Sequence, residues 1–244
     1  MSETNPQMPN AAEGSHGRER RQVGHEAIED YAKAIYALAG QGEGPVTTSA
    51  LAGRLGVAPG TVTAMLKRLA GLGLIAYEPY RGVELTAAGE RVALEVIRHH
   101  RLIEAYLAEA LGMPWDRVHD EAEVLEHYIS EELEERMAAA LGNPDRDPHG
   151  DPIPDRELAM AGEAGVALSR LEQGEGGTFT RVSDGEPEML RYLAEREIRP
   201  GVRLEVIERE PFGGPLLVAV GDREHAIGEG LAERMLIATS RLQI

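Results

Sequence analysis

Four of the eight histidines, His99, His100, His119 and His127, fall in one short stretch that also carries Glu104, Glu123 and Glu126. Glu123, Glu126 and His127 stand at i, i+3 and i+4, a spacing that brings side chains together on one face of a helix. His119 lies one turn before Glu123, and His100 and Glu104 repeat the i, i+4 spacing further upstream. Imidazole and carboxylate donors without sulfur suit a hard or borderline divalent ion such as Mn2+ or Fe2+, with Co2+, Zn2+ or Cd2+ able to compete. Without a cation, carboxylates crowded on one face repel, and some must protonate. Asp30, near the start of the first helix, is a further candidate whose carboxylate would complete the site if that helix packs beside the Glu123 helix. Glu131, Glu132, Glu134 and Glu135 read instead as a solvated acidic face. The chain contains no cysteine, which excludes disulfides, thiolate zinc sites, iron–sulfur clusters and cysteine nucleophiles.

These donors need helices to hold them. From Glu26 the apolar residues Ile28, Tyr31, Ala32, Ile35, Tyr36 and Leu38 recur at helical spacing until Gly40, Gly42, Gly44 and Pro45 end the element. Residues 1–24 lack such periodicity and read as a disordered tail. Residues 47–72 then predict two short helices joined by a tight turn at Ala58-Pro59-Gly60, a helix-turn-helix. Residues 74–77 and 83–86 form a hairpin that would serve as a wing. On the second helix Val62, Met65, Leu66 and Leu69 would face the core, leaving Thr61, Thr63, Lys67 and Arg68 for DNA, with Thr48 on the first helix and Arg81 and Tyr80 at the wing tip.

Thr86 reads as the N-cap of a helix over roughly 87–111, and a further helix spans roughly 116–141. Residues 143–155 hold four prolines and few apolar groups, which predicts a linker or an extended strap. Beyond it, β-prone runs at 178–182, 202–207 and 216–220, with a short helix at 187–195, indicate a small β-barrel. The organisation is α+β: a tail (1–24), a winged helix-turn-helix (25–92), a helical metal-binding domain (93–142), a linker or strap (143–174) and the barrel (175–244).

With 25 Lys+Arg against 42 Asp+Glu, the net charge of −17 argues against polyanion binding by bulk attraction. Divided by region, the charge is less forbidding. Residues 25–92 hold six Lys/Arg and seven Asp/Glu, whereas residues 93–142 hold four and twelve. A nearly neutral module with its cations on the second helix and wing is therefore joined to a strongly acidic one. No run of apolar residues is long enough to span a membrane and no signal-peptide core stands at the start, so the expected address is cytoplasmic.

In this arrangement the chain resembles the diphtheria-toxin-repressor family of metal-dependent transcriptional repressors, particularly its manganese-responsive branch. The resemblance is carried by Glu29-Asp30-Tyr31 with Ile35-Tyr36, Thr61-Val62-Thr63, Arg98-His99-His100-Arg101-Leu102, Val118-His119-Asp120-Glu121-Ala122 through Glu126-His127, and the strap Pro148-His149-Gly150-Asp151-Pro152-Ile153-Pro154. It implies a primary metal site at Asp30, Glu123, Glu126 and His127 and a second at His100, Glu104 and His119. Oxygen ligands that longer members draw from the C-terminal barrel would fall on Asp184 or Glu186. Iron-responsive members have Met and Cys where Asp30 and Glu123 stand, a difference that favours Mn2+. Lys33 replaces a glutamate that manganese-responsive members use, so their binuclear arrangement does not carry over directly.

The resemblance further implies an SH3-like (FeoA-type) C-terminal domain, homodimerisation through residues 93–141 and pseudo-palindromic operators near metal-uptake genes. The expected function is a metal-activated, DNA-binding repressor rather than an enzyme. Two rivals stand beside it. A di-metal carboxylate enzyme would use Glu-x-x-His motifs on facing helices, but no second copy of that motif is present. A metal-independent regulator or adaptor would have a merely structural His/Glu face.

Overall fold

Thr47 opens the helical turn of the DNA-reading region: its hydroxyl oxygen accepts from the Ala50 amide at 3.1 Å and caps α2 (Thr48–Leu55), which Gly56 ends in the left-handed conformation. The computed structural model describes residues 11–239 except 41, 43, 79, 80, 163, 164 and 184, and for residues 11–23 the backbone alone. The chain divides into two compact units, Met1–Val96 and Ile97–Ile244.

In the first unit, α1 (Ala11–Ala39), α2 and α3 (Pro59–Gly71) enclose a core with a hairpin of β1 (Ile75–Glu78) and β2 (Gly82–Leu85). Val62, Leu66 and Leu69 of α3 bury against a cluster containing Tyr31, Ile35, Leu51, Ile75 and Val83, as the helical period predicts. The first helix is longer than its apolar periodicity suggests. Extending an existing helix avoids the nucleation cost, so the added turns need no apolar periodicity of their own. Residues 1–10 of the expected tail, and Tyr80 at the wing tip, lie outside the described residues.

Thr86 caps α4 (Ala87–Glu109) as expected, accepting from the Gly89 amide at 3.2 Å and donating to the Gly73 carbonyl at 2.7 Å. Gly89 is required by proximity: a Cβ there would stand 2.0 Å from the Leu74 carbonyl oxygen.

The second unit contains α5 (Val118–Leu125) and α6 (Glu131–Ala140), followed by β3 (Val166–Ala167), β4 (Gly176–Val182), α7 (Pro187–Ala194), β5 (Arg203–Arg209), β6 (Leu216–Val220), β7 (Arg223–Ile227), α8 (Glu229–Ala232) and β8 (Met235–Ala238). The strands form one antiparallel sheet in the order β3-β8-β4-β5-β6-β7, with irregular register at Phe179/Arg181 and Val206/Glu208. Such bulges add local bend and twist. Phe179, Val206, Val218 and Ile237 form its inner face with Leu190 and Leu193 of α7 and with Trp115.

One expectation requires correction, and one open alternative, linker or strap, is decided. The single helix expected at 116–141 is broken at residues 126–130, because Ser130 adopts an extended backbone and its hydroxyl accepts from the Leu133 amide, starting α6 afresh. The strap is also no loose linker. Asp147, His149, Asp151 and Ile153 are buried, and the Val182 amide of β4 donates to the His149 carbonyl at 2.9 Å. Gly150 permits this approach: its φ is +91°, and a Cβ would lie 1.8 Å from the Thr180 carbonyl oxygen. From α4, Arg98 donates to the Pro154 carbonyl and Arg101 to the Pro152 carbonyl, each at 2.5 Å.

Candidate metal centre

α4 places Arg98, His99, His100, Arg101 and Glu104 on two successive turns, and α5 brings His119 and Glu123 towards them. His100 Nε2 lies 3.0 Å from Glu104 Oε1 and 3.1 Å from His119 Nδ1, while His119 Nδ1 lies 3.2 Å from Glu104 Oε1. Three donor atoms thus form a nearly equilateral triangle. On its other side, His100 Nδ1 is 2.5 Å from Glu126 Oε2. If that contact carries the imidazole proton, Nε2 presents a lone pair to the triangle. A proton or a cation must then hold the three donors together.

An octahedral ion about 2.1 Å from each donor sets cis ligands about 3.0 Å apart, against about 3.4 Å for a tetrahedral ion of the same radius. The triangle matches the former. Glu104 and Glu126 side chains are fully buried, His100 nearly so, while His119 and Glu123 are partly open to solvent. Burial acts to raise the Glu104 carboxyl, but the hydrogen bond and charge of His100, the hydrogen bond of His119 and the nearby His149 imidazole hold it well below the usual carboxylate range.

Of the residues singled out in the sequence, His100, Glu104 and His119 come together as one set. Glu123 turns towards them, its Oε1 3.7 Å from His100 Nδ1 and 3.8 Å from His119 Nε2. Glu126 and His127 follow at the end of α5, with His127 Nε2 3.7 Å from Glu126 Oε1. Asp30 lies on α1 of the first unit, half-buried. Glu186 is exposed at the start of α7 and pairs with Arg234, and Asp184 lies outside the described residues.

Glu134 departs from its expected role. It is buried and pairs with Arg98 Nε at 2.5 Å and His99 Nε2 at 2.9 Å, because α6 turns this position inwards. Glu131, Glu132 and Glu135 remain exposed.

On the first unit, Thr61, Lys67, Arg68 and Arg81 are exposed, while Thr48 and Thr63 are half-buried. The Thr63 hydroxyl donates to the Pro59 carbonyl at 3.0 Å, which leaves its oxygen able to accept but occupies its proton. Arg81 pairs with Glu78 at 3.1 Å across the wing.

Residues 25–83 match the iron dependent repressor N-terminal DNA binding domain, residues 86–155 the iron dependent repressor metal binding and dimerisation domain, and residues 166–239 the FeoA domain. The iron-dependent repressor IdeR of Mycobacterium tuberculosis is 31% identical over 224 residues, covering 87% of this chain and 96% of the relative. The chain belongs to the diphtheria-toxin-repressor family of metal-dependent transcriptional regulators.

Two further members show how the resemblance is distributed. The diphtheria toxin repressor of Corynebacterium diphtheriae is 28% identical over 195 residues, covering 76% of this chain and 86% of the relative. A solved manganese-dependent transcriptional repressor in complex with manganese superposes with a TM-score of 0.80 at 39% identity, covering 87% of this chain and 99% of that one.

The sequence reading of this family member overlooked two side chains beside Glu104. His149 and Asp147 of the strap are buried against it. The alternation Asp147-Pro148-His149-Gly150-Asp151 was the available signal, three donor residues at every second position of a Pro-rich segment.

Proposed function

We propose that this regulator is a manganese-responsive repressor, with Fe2+ as the alternative activating ion, which binds operator DNA as a homodimer when loaded and controls genes of metal-ion uptake. The observation that carries this reading is the sulfur-free triangle of His100 Nε2, Glu104 Oε1 and His119 Nδ1, with edges of 3.0, 3.1 and 3.2 Å. Its all-nitrogen-and-oxygen donors and octahedral spacing favour Mn2+ or Fe2+ over softer ions, and Co2+, Zn2+ and Cd2+ are competitors in vitro.

In this reading His100, Glu104 and His119 hold one ion. Glu123, Glu126 and His127 hold a second, to which the family resemblance adds Asp30. The ion supplies positive charge that relieves repulsion among buried carboxylates. Ligation at Asp30 makes loading a constraint on the DNA-reading module, so metal selects the DNA-competent state. Thr48, Thr61, Thr63, Lys67, Arg68 and Arg81 contact the duplex.

Homodimerisation is supported by Val124, Leu125, Tyr128 and Leu133, large apolar side chains exposed on and between α5 and α6. A two-fold dimer reads a two-fold operator. The relatives are repressors, which supports a regulator over an enzyme. No helix among the described residues is long and apolar enough to cross a membrane. The cytoplasm, where operator DNA lies, is the address this reading takes.

Fluorescence anisotropy of a labelled operator duplex tests the reading. Mn2+ is expected to tighten binding about 100-fold over EDTA-treated protein, and Asp30→Ala or His127→Ala to remove most of that stimulation. Equal binding in EDTA and Mn2+ would refute the switch. A separate expectation concerns the duplex face. Arg68→Glu and Arg81→Glu should bind Mn2+ normally yet lose operator affinity, with the salt dependence falling by about one unit per lost phosphate contact. Undiminished affinity in both variants would remove the proposed DNA face.

A further inference from the structure

Glu104 uses one carboxylate oxygen in the donor triangle. Its other oxygen, Oε2, is buried and makes no hydrogen bond among the described residues. Facing it at 3.7 Å is His149 Nδ1, also fully buried and without a hydrogen bond. His149 Nε2 lies 2.8 Å from the Trp115 carbonyl oxygen. A carbonyl only accepts, so Nε2 carries a proton, and Nδ1 is the ring atom that faces Glu104.

At 3.7 Å the two atoms stand within ion-pair range but beyond direct hydrogen-bond reach. A divalent ion would bring both into ligation. With donor distances of about 2.1 Å, it spans ligand atoms up to about 4.2 Å apart.

Asp147 supplies a third donor. One ligand atom from each of Glu104, Asp147 and His149 lies within 4.8 Å of the other two, and all three residues are buried. The Asp147 carboxylate is held in place by the backbone amides of His149 and Asp151, which donate to its Oδ1 at 2.8 and 2.9 Å.

We infer that Glu104 bridges two divalent cations: Oε1 serves the ion at His100 and His119, and Oε2 serves a further ion held with Asp147 and His149. This inference rests on the proposed reading of His100, Glu104 and His119 as ligands. Two oxygen donors and one imidazole suit the same hard or borderline class as that set, and carboxylate-bridged ions typically lie about 3.5 to 4 Å apart. The further ion joins α4 to the strap. The strap in turn meets β4, where the Val182 amide donates to the His149 carbonyl at 2.9 Å. Loading would therefore be registered by the β-sheet region of the second unit as well as by α4 and α5.

The test uses the full chain equilibrated with Mn2+, with bound metal counted by mass spectrometry and the ions' coupling read by electron paramagnetic resonance. Wild type is expected to show an exchange-coupled Mn2+ pair. His149→Gln and Asp147→Asn should each hold one ion fewer per chain and show the hyperfine pattern of isolated Mn2+ instead. His119→Ala reports on the underlying reading, since it should lose metal whether or not the further ion exists.

Wild-type stoichiometry in both His149→Gln and Asp147→Asn, or no coupled signal in the wild type, would overturn the bridge. If His119→Ala also kept the full complement, the ligand reading itself would fail. Should His149→Gln not fold, Asp147→Asn and the wild-type spectrum decide the matter.

Discussion

Replacing His100 with alanine is expected to raise the Mn2+ concentration needed for half-loading about 100-fold and to abolish metal-stimulated operator binding. Its effect is larger than that of other ligand substitutions because the two ring nitrogens serve different partners. Nε2 lies 3.0 Å from Glu104 Oε1 in the donor triangle, and Nδ1 lies 2.5 Å from Glu126 Oε2 in the adjoining set. Removing the ring takes one donor from the first set and the partner that orients a donor of the second.

It also leaves Glu104 and Glu126, both fully buried, without their shared imidazole. Buried carboxylates that lose a partner are costly, so the metal-free variant should unfold at lower temperature than metal-free wild type. Mn2+ titration by calorimetry, operator anisotropy and thermal melts in EDTA check the three parts. Unchanged Mn2+ affinity would remove His100 from the centre. His100→Gln should retain part of the fold stability but not the metal affinity, which separates ligation from packing.

Trp115→Ala is expected to destabilise the second unit by about 3 to 5 kcal/mol, the range for emptying an aromatic site in a core. Trp115 is 1% exposed and belongs to the cluster under the β-sheet with Phe179, Leu190 and Ile237. Its indole nitrogen donates to the Leu190 carbonyl at 3.2 Å, its own carbonyl accepts from His149, and its ring stacks on His149 at 5.7 Å between centroids. The substitution therefore opens a cavity and loosens the strap that carries Asp147 and His149.

As Trp115 is the single tryptophan, fluorescence follows it in the wild type, and circular dichroism under urea compares the variant. Trp115→Phe, which keeps an aromatic ring but loses the indole donor, should cost about 1 kcal/mol more than packing alone requires. An unchanged urea midpoint in Trp115→Ala would show that the strap and sheet are held by other contacts.

How much of the centre is legible along the chain depends on the distance between partners. His100 and Glu104 were readable together because a helix fixes the i, i+4 geometry locally. Thr86 as a cap and Val62, Leu66 and Leu69 as a buried face were readable for the same reason. Glu134 was misread as solvated because its own helix is polar in composition, and only contact with Arg98 and His99 explains its burial. The break at residues 126–130 was missed because Ser130 looks tolerable inside a helix until its extended backbone is seen. β7 and β8 are absent from the expected strands: β7 (Arg-Glu-His-Ala-Ile) is rich in charge, and β8 (Met-Leu-Ile-Ala) is apolar but only four residues long. They are defined by their pairing with β6 and with β3 and β4.

Residue chemistry and local spacing alone determined that any ion would meet nitrogen and oxygen rather than sulfur. They also established that donors recur at helical intervals and that a nearly neutral helix-turn-helix precedes an acidic region. Those properties are carried by side-chain type and by a period of a few residues, which a helix enforces without help from the rest of the chain. Tertiary structure decided the remainder: which way Glu123 turns, that Glu134 is inside, and that the strap delivers Asp147 and His149 to the far oxygen of Glu104. Those partners are remote in sequence, and their meeting depends on how the strap is held between α4 and β4 by Gly150, Arg98, Arg101 and the His149 carbonyl. Packing of that kind is a property of the folded chain and has no local period from which it could be read.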